Sequence, residues 1–80
     1  MNCRVHTTSG AMYTINEDEM TWHRRTPASG QGVIGIDEDH GILTDYVIVT
    51  LGDRLIVPIQ SPSGNTYIKT SPVIMAEVLN

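Results

Sequence analysis

"CRVHTTSGAMYTIN" (residues 3–16) decides the fold. In its first half Cys3, Val5 and Thr7 alternate with Arg4, His6 and Thr8, the period of two that a pleated strand requires. Ser9-Gly10 is turn chemistry, and "AMYTIN" (11–16) reads as the return strand. The hairpin predicts a β protein, and the rest of the chain extends it. Glu17-Asp18-Glu19 forms the next turn and leads into "MTWHRRT" (20–26), a third strand of a meander.

Beyond that strand, "PASGQG" (27–32) breaks the pattern, "VIGI" (33–36) is a candidate short strand, and "DEDHG" (37–41) reads as an exposed acidic loop. The densest apolar segment, "GILTDYVIVTL" (41–51), is apolar on both faces at its centre. This predicts a strand covered on both sides, by a closed barrel or by another subunit. "RLIVPIQ" (54–60) is a further strand, and Pro58 puts it at an edge or a bulge because proline donates no ladder hydrogen bond. "SPSGN" (61–65) turns the chain into "TYIKTS" (66–71), which Pro72 is expected to end. The closing "VIMAEVLN" (73–80) fits a strand or a short helix, and residue propensity favours the strand. The expected fold is all-β: a small single-domain barrel or sandwich of six or seven short antiparallel strands over residues 1–80.

Composition narrows the function classes. Eighty residues hold one core at most and bury only about 60–65% of the unfolded surface, so stability is expected to be marginal. Cys3 is the one cysteine, which removes an intrachain disulfide and a four-cysteine zinc site as means of support. Self-association is the remaining route, and a homo-oligomer is expected, with "YVIVTL" (46–51) or "VIMAEVL" (73–79) at the contact. The net charge of −4, from five Lys+Arg against nine Asp+Glu, argues against binding duplex nucleic acid. No apolar run is long enough to span a bilayer and no signal core is present, so a cytoplasmic protein without a membrane partner is expected.

Several short motifs resemble a loose group of small proteins from bacteriophages and actinobacterial genomes. They are "TTSGAMYTI" (7–15), "TWHRR" (21–25), "LGDRLIV" (51–57) and "KTSPV" (69–73). Most members of the group have no assigned activity. The resemblance therefore implies a small β fold and a phage setting inside a host bacterium, and it transfers no catalytic residues.

The chemistry-bearing residues point away from catalysis. Cys3 and His6 lie three apart, on opposite faces of a strand, and do not form a nucleophile–base pair. Asp37, Glu38, Asp39 and His40 have ligand chemistry, but consecutive side chains diverge, and no metal or other cofactor is expected. "GQGVIG" (30–35) has its glycines at the wrong offsets for a dinucleotide fingerprint. The remaining candidate is a ligand-binding strip. Trp22 and Arg24 share a strand face, Arg25 follows, and Tyr67 and Lys69 repeat the order of aromatic then cation. Rings that stack a base beside cations that meet a phosphate suit a nucleotide-like or other anionic ligand. The simpler reading makes Trp22 a barrel plug with Arg24 at the rim. The functional expectation is a non-enzymatic binding protein of phage type, a counter-defence protein that sequesters such a ligand or blocks a host protein. The alternative is a structural or accessory virion component acting through strand-mediated contacts.

Overall fold

A computed structural model of the chain describes residues 2–27 and 36–79. The expected breaker at 27–32 and the glycine-rich stretch at 30–35 lie almost wholly outside them, as does most of the candidate strand at 33–36. The described chain is all-β, with strands β1 (Asn2–Thr7), β2 (Met12–Asn16), β3 (Thr21–Pro27), β4 (Ile36–Ile42), β5 (Arg54–Ser61) and β6 (Gly64–Val78). They form one antiparallel sheet in the order β4-β3-β2-β1-β6-β5. A bridge between Leu43 and Ile59 brings the two ends of the sheet together, so it curls into a nearly closed barrel.

The opening hairpin forms as its alternation dictates. Cys3, Val5 and Thr7 point inward from β1, and Tyr13 and Ile15 point inward from β2. Thr7 and Ala11 bond across a loop of residues 8–10, with Thr7 N–H donating to Ala11 O at 3.1 Å and Gly10 N–H to Thr7 O at 3.0 Å. Gly10 has φ 89°, the left-handed conformation that such a loop needs at its last position. Val5, Ile15, Leu55 and Val57 are the innermost side chains, with Tyr13, Trp22, Leu43 and Val73 packed around them.

Three elements depart from the sequence reading. Residues 37–41 are not a loop but the centre of β4. The register sets residues 37–40 against 23–26 of β3, and Asp39 is the cross-strand partner of Arg24. The segment 44–50 is not a strand and is not covered on both sides. It is needed to carry the chain from β4 to β5, and Val47 and Val49 pack on the core from one face while Tyr46 and Ile48 stand exposed on the other. With no strand beside it, its backbone borrows side chains: Val47 N–H donates to Glu17 Oε2 at 3.1 Å. Finally, Pro72 does not end a strand, because β6 runs through it; the closing segment is the strand that residue propensity favours.

Pro72 is tolerated because β6 changes partners there. Residues 64–72 pair with β5, and residues 73–78 pair with β1 across a bulge. β1 has ended by that point, and the Pro72 carbonyl receives Thr8 N–H at 3.0 Å, so the missing N–H interrupts no ladder. On the other side, Val73 exchanges bonds with the Thr50–Asp53 turn, through Gly52 N–H to Val73 O and Val73 N–H to Asp53 O, each 2.9 Å.

Thr70 supports the same junction. Its buried hydroxyl receives Leu55 N–H at 3.0 Å, filling the irregularity in the β5–β6 register between Arg54 and Ile56. A Thr70→Val substitution keeps the shape and removes that acceptor. It should cost about 1–3 kcal/mol, the penalty of an orphaned buried donor, measurable by urea unfolding.

Candidate functional site

The expected strip does not form a single surface. Trp22 is 5% exposed and belongs to the core, so its ring offers no open face for stacking. It lies opposite Gly41 of β4 and covers it: a Cβ at residue 41 would meet the Trp22 Nε1 at 2.8 Å and two further ring atoms at 3.1 and 3.2 Å. Glycine is needed here for the close approach of an indole to backbone. A Gly41→Ala change should therefore force the ring aside and cost about 1–3 kcal/mol, read as a lower midpoint in thermal melts with an unchanged β spectrum at low temperature.

Arg24 shares the face of Trp22 but sits at the rim, with its Nη2 3.5 Å from Asp39 Oδ2. Both side chains are substantially solvated, at 35% and 56% exposure, so the pair contributes at most about 1 kcal/mol. Arg25 is exposed on the opposite face of β3, beside His23. Tyr67 and Lys69 lie on β6, which is not a sheet neighbour of β3, and both are exposed. Of the five residues, only Tyr67 and Lys69 share a local surface.

That surface adjoins a groove. Lys69 is the cross-strand partner of Ile56 and Tyr67 that of Pro58, and both Ile56 and Pro58 line a groove of about 390 Å³ between β5 and the segment after β4. Tyr46, Ile48 and Thr50 form its other wall, with Asp45, Asp53 and Arg54 completing it. Ile48 is 85% exposed, and Tyr46, Ile56 and Tyr67 are likewise open to solvent. The sequence signal for this wall is the apolar character of both faces of 46–50, which predicts double burial where the structure has one face open.

The backbone beside the groove is equally informative. Thr44 N–H donates to Pro58 O at 3.1 Å, so the Pro58 carbonyl points away from β6. By the two-residue alternation of a ladder, Ile56 presents its N–H and C=O toward the same side. Among the described residues, no strand pairs with that edge of β5 beyond the Leu43–Ile59 bridge. The groove thus combines an open strand edge with apolar side chains. Its charge does not favour an anion, since two carboxylates stand against Arg54, and the Arg54 guanidinium already donates to Thr70 O at 3.3 Å.

Other reactive groups are placed unfavourably for chemistry. Asp39 and His40 are successive strand residues and point to opposite faces. Among the described residues, no group of three or more His, Cys, Asp or Glu side chains is arranged to hold a metal ion. Cys3 is buried, and burial, with a smaller contribution from the Glu17 carboxylate, raises its thiol above the ordinary range. Because the folded value is raised, the associated stability is fully present below the ordinary thiol value and is lost as pH rises through the raised one. Iodoacetamide should alkylate Cys3 slowly in the native protein near neutral pH and rapidly in denaturant, as followed by mass spectrometry.

No helix among the described residues is long and apolar enough to cross a membrane. No protein-family model, curated protein or solved structure matches the chain.

Proposed function

We propose that the chain is a small non-enzymatic binding protein that captures an extended segment of a partner protein by strand addition at β5. The observation that carries this reading is the open β5 edge at Ile56, facing a groove walled by Tyr46, Ile48 and Pro58. In strand addition, main-chain hydrogen bonds supply affinity and pockets for alternate side chains supply specificity. Tyr67 and Lys69 flank the groove and would meet the outer side of such a segment. A phage setting, in which the captured segment belongs to a host protein, rests on the resemblance of the short sequence motifs. The nucleotide-like ligand is the weaker reading, since the candidate cations are dispersed and Trp22 is enclosed.

The test is an NMR titration with extended peptides that alternate aromatic or aliphatic residues with polar ones. Binding should shift the amides of Ile56 and Ile48 and slow hydrogen exchange at Ile56, and Ile48→Lys should abolish both effects. If nucleoside phosphates perturb Tyr67 and Lys69 while no such peptide reaches β5, the groove reading fails.

A further inference from the structure

The C-terminal half of β6 is a second open edge, and its features differ from those of the groove. Residues 73–78 pair with β1 on one side, while β5 pairs only as far as Pro72 on the other. Past the contact of Val73 with the Gly52–Asp53 turn, no strand among the described residues covers that side. Leu79 N–H donates to Asn2 O at 2.8 Å, so Leu79 faces β1. The ladder alternation then turns the N–H and C=O groups of Val78 and Ala76 outward, toward the open edge.

The side chains along this edge are apolar on both faces. Ala76 and Val78 lie opposite Val5 and Cys3 in the register, and so share their face, yet Val78 is 68% exposed. Ile74, Met75 and Leu79 are also exposed. Natural edge strands usually carry lysine, an inward charge or a proline to prevent pairing. From Val73 to Leu79 the sequence has none of these, and its one charge is Glu77. That carboxylate is already engaged within its own chain, with Oε1 3.1 Å from His6 Nε2.

We propose that this edge is the interface with a second copy of the chain, formed by antiparallel pairing of β6 with β6 about a twofold axis at Ala76. The strand is self-complementary in that register. Ala76 meets its own copy, where small side chains allow close approach and the two outward N–H groups can each find a carbonyl. Ile74 falls opposite Val78 of the second copy, extending one apolar stripe across the axis. Met75 falls opposite Glu77, so each carboxylate has an uncharged neighbour across the interface and keeps its own histidine. Moving the axis to Glu77 would set two carboxylates directly opposite each other, an unfavourable pair. A twofold contact uses the same patch on both copies, so pairing covers the open part of β6 in each and closes at two copies. The pairing is independent of the β5 groove, which stays open in the dimer's sheet order.

Sedimentation velocity on the full chain tests the interface. The wild type should be a dimer at micromolar concentration. Ala76→Pro removes an N–H that faces away from β1, and Val78→Lys places a charge on the exposed stripe. Each should raise the dimer dissociation constant by about tenfold or more, while Ile48→Lys in the groove should leave it unchanged. Should the proline variant fail to fold, Val78→Lys decides alone, since its side chain is already solvent-exposed. A monomeric wild type, a Val78→Lys variant that dimerises as tightly as the wild type, or loss of the dimer in Ile48→Lys would each overturn the proposal.

Discussion

Trp22→Ala should destabilise the protein by about 3–5 kcal/mol, the cost of emptying a large aromatic site in a packed core. A chain of this length has on the order of 4–12 kcal/mol of total stability, so the loss is severe. The ring is enclosed, sits opposite Ile15 of β2 on one side and Gly41 of β4 on the other, and so ties three strands together. The substitution leaves Gly41 without the ring that covers it, and a central glycine contributes nothing to sheet packing by itself. Thermal melts followed by circular dichroism should show either a large drop in midpoint or a chain without β structure at room temperature. Arg25→Ala, on the exposed face of the same strand, should stay within about 0.5 kcal/mol of the wild type. An unaffected melt for Trp22→Ala would remove the plug from the account of the fold and return the ring to the list of binding residues.

The adjacent residues Leu55 and Ile56 should separate stability from function. Leu55 is 1% exposed, and Leu55→Ala should cost about 2–5 kcal/mol through lost burial and the cavity it leaves. Ile56 points outward on the same strand, so Ile56→Ala should scarcely change the unfolding midpoint in urea. It should nevertheless weaken binding of an extended peptide at β5, because the side chain lines the groove. Equal destabilisation by the two substitutions would mean that the outer face of β5 is covered in solution, contrary to the open edge described above.

These pairs of neighbours show what one-dimensional pattern carries. The alternation in 3–8 and 11–16, the turn at Ser9-Gly10 and the apolar inward positions of 54–57 specify strands and their faces, because the pleat itself has a period of two. Pro58 was legible as an edge residue for a similarly local reason, since a missing donor is harmful wherever a ladder continues, and β5 does stand at the end of the sheet. A core role for Trp22 is also open to reading, from the large apolar surface of its ring on a strand of a small barrel.

What local pattern could not supply was the identity of each strand's partner. "DEDHG" looks like a solvated loop until Asp39 is set against Arg24, a pairing between residues well apart in the chain. "YVIVT" has a strand's β-branched and aromatic residues, but it stays unpaired because the sheet closes through Leu43 and Ile59 before that segment can join a ladder. Its exposed face therefore becomes a groove wall and not a buried layer. The same holds for β6, which passes through Pro72 because β1 and β5 meet it on opposite sides at that point. The sequence by itself determined the strands, their turns and the inward faces, since these depend on neighbours one or two residues away. The tertiary structure alone decided which edges are paired and which remain open, because a strand's hydrogen-bonding groups are satisfied by whatever chain the closure of the barrel brings beside them.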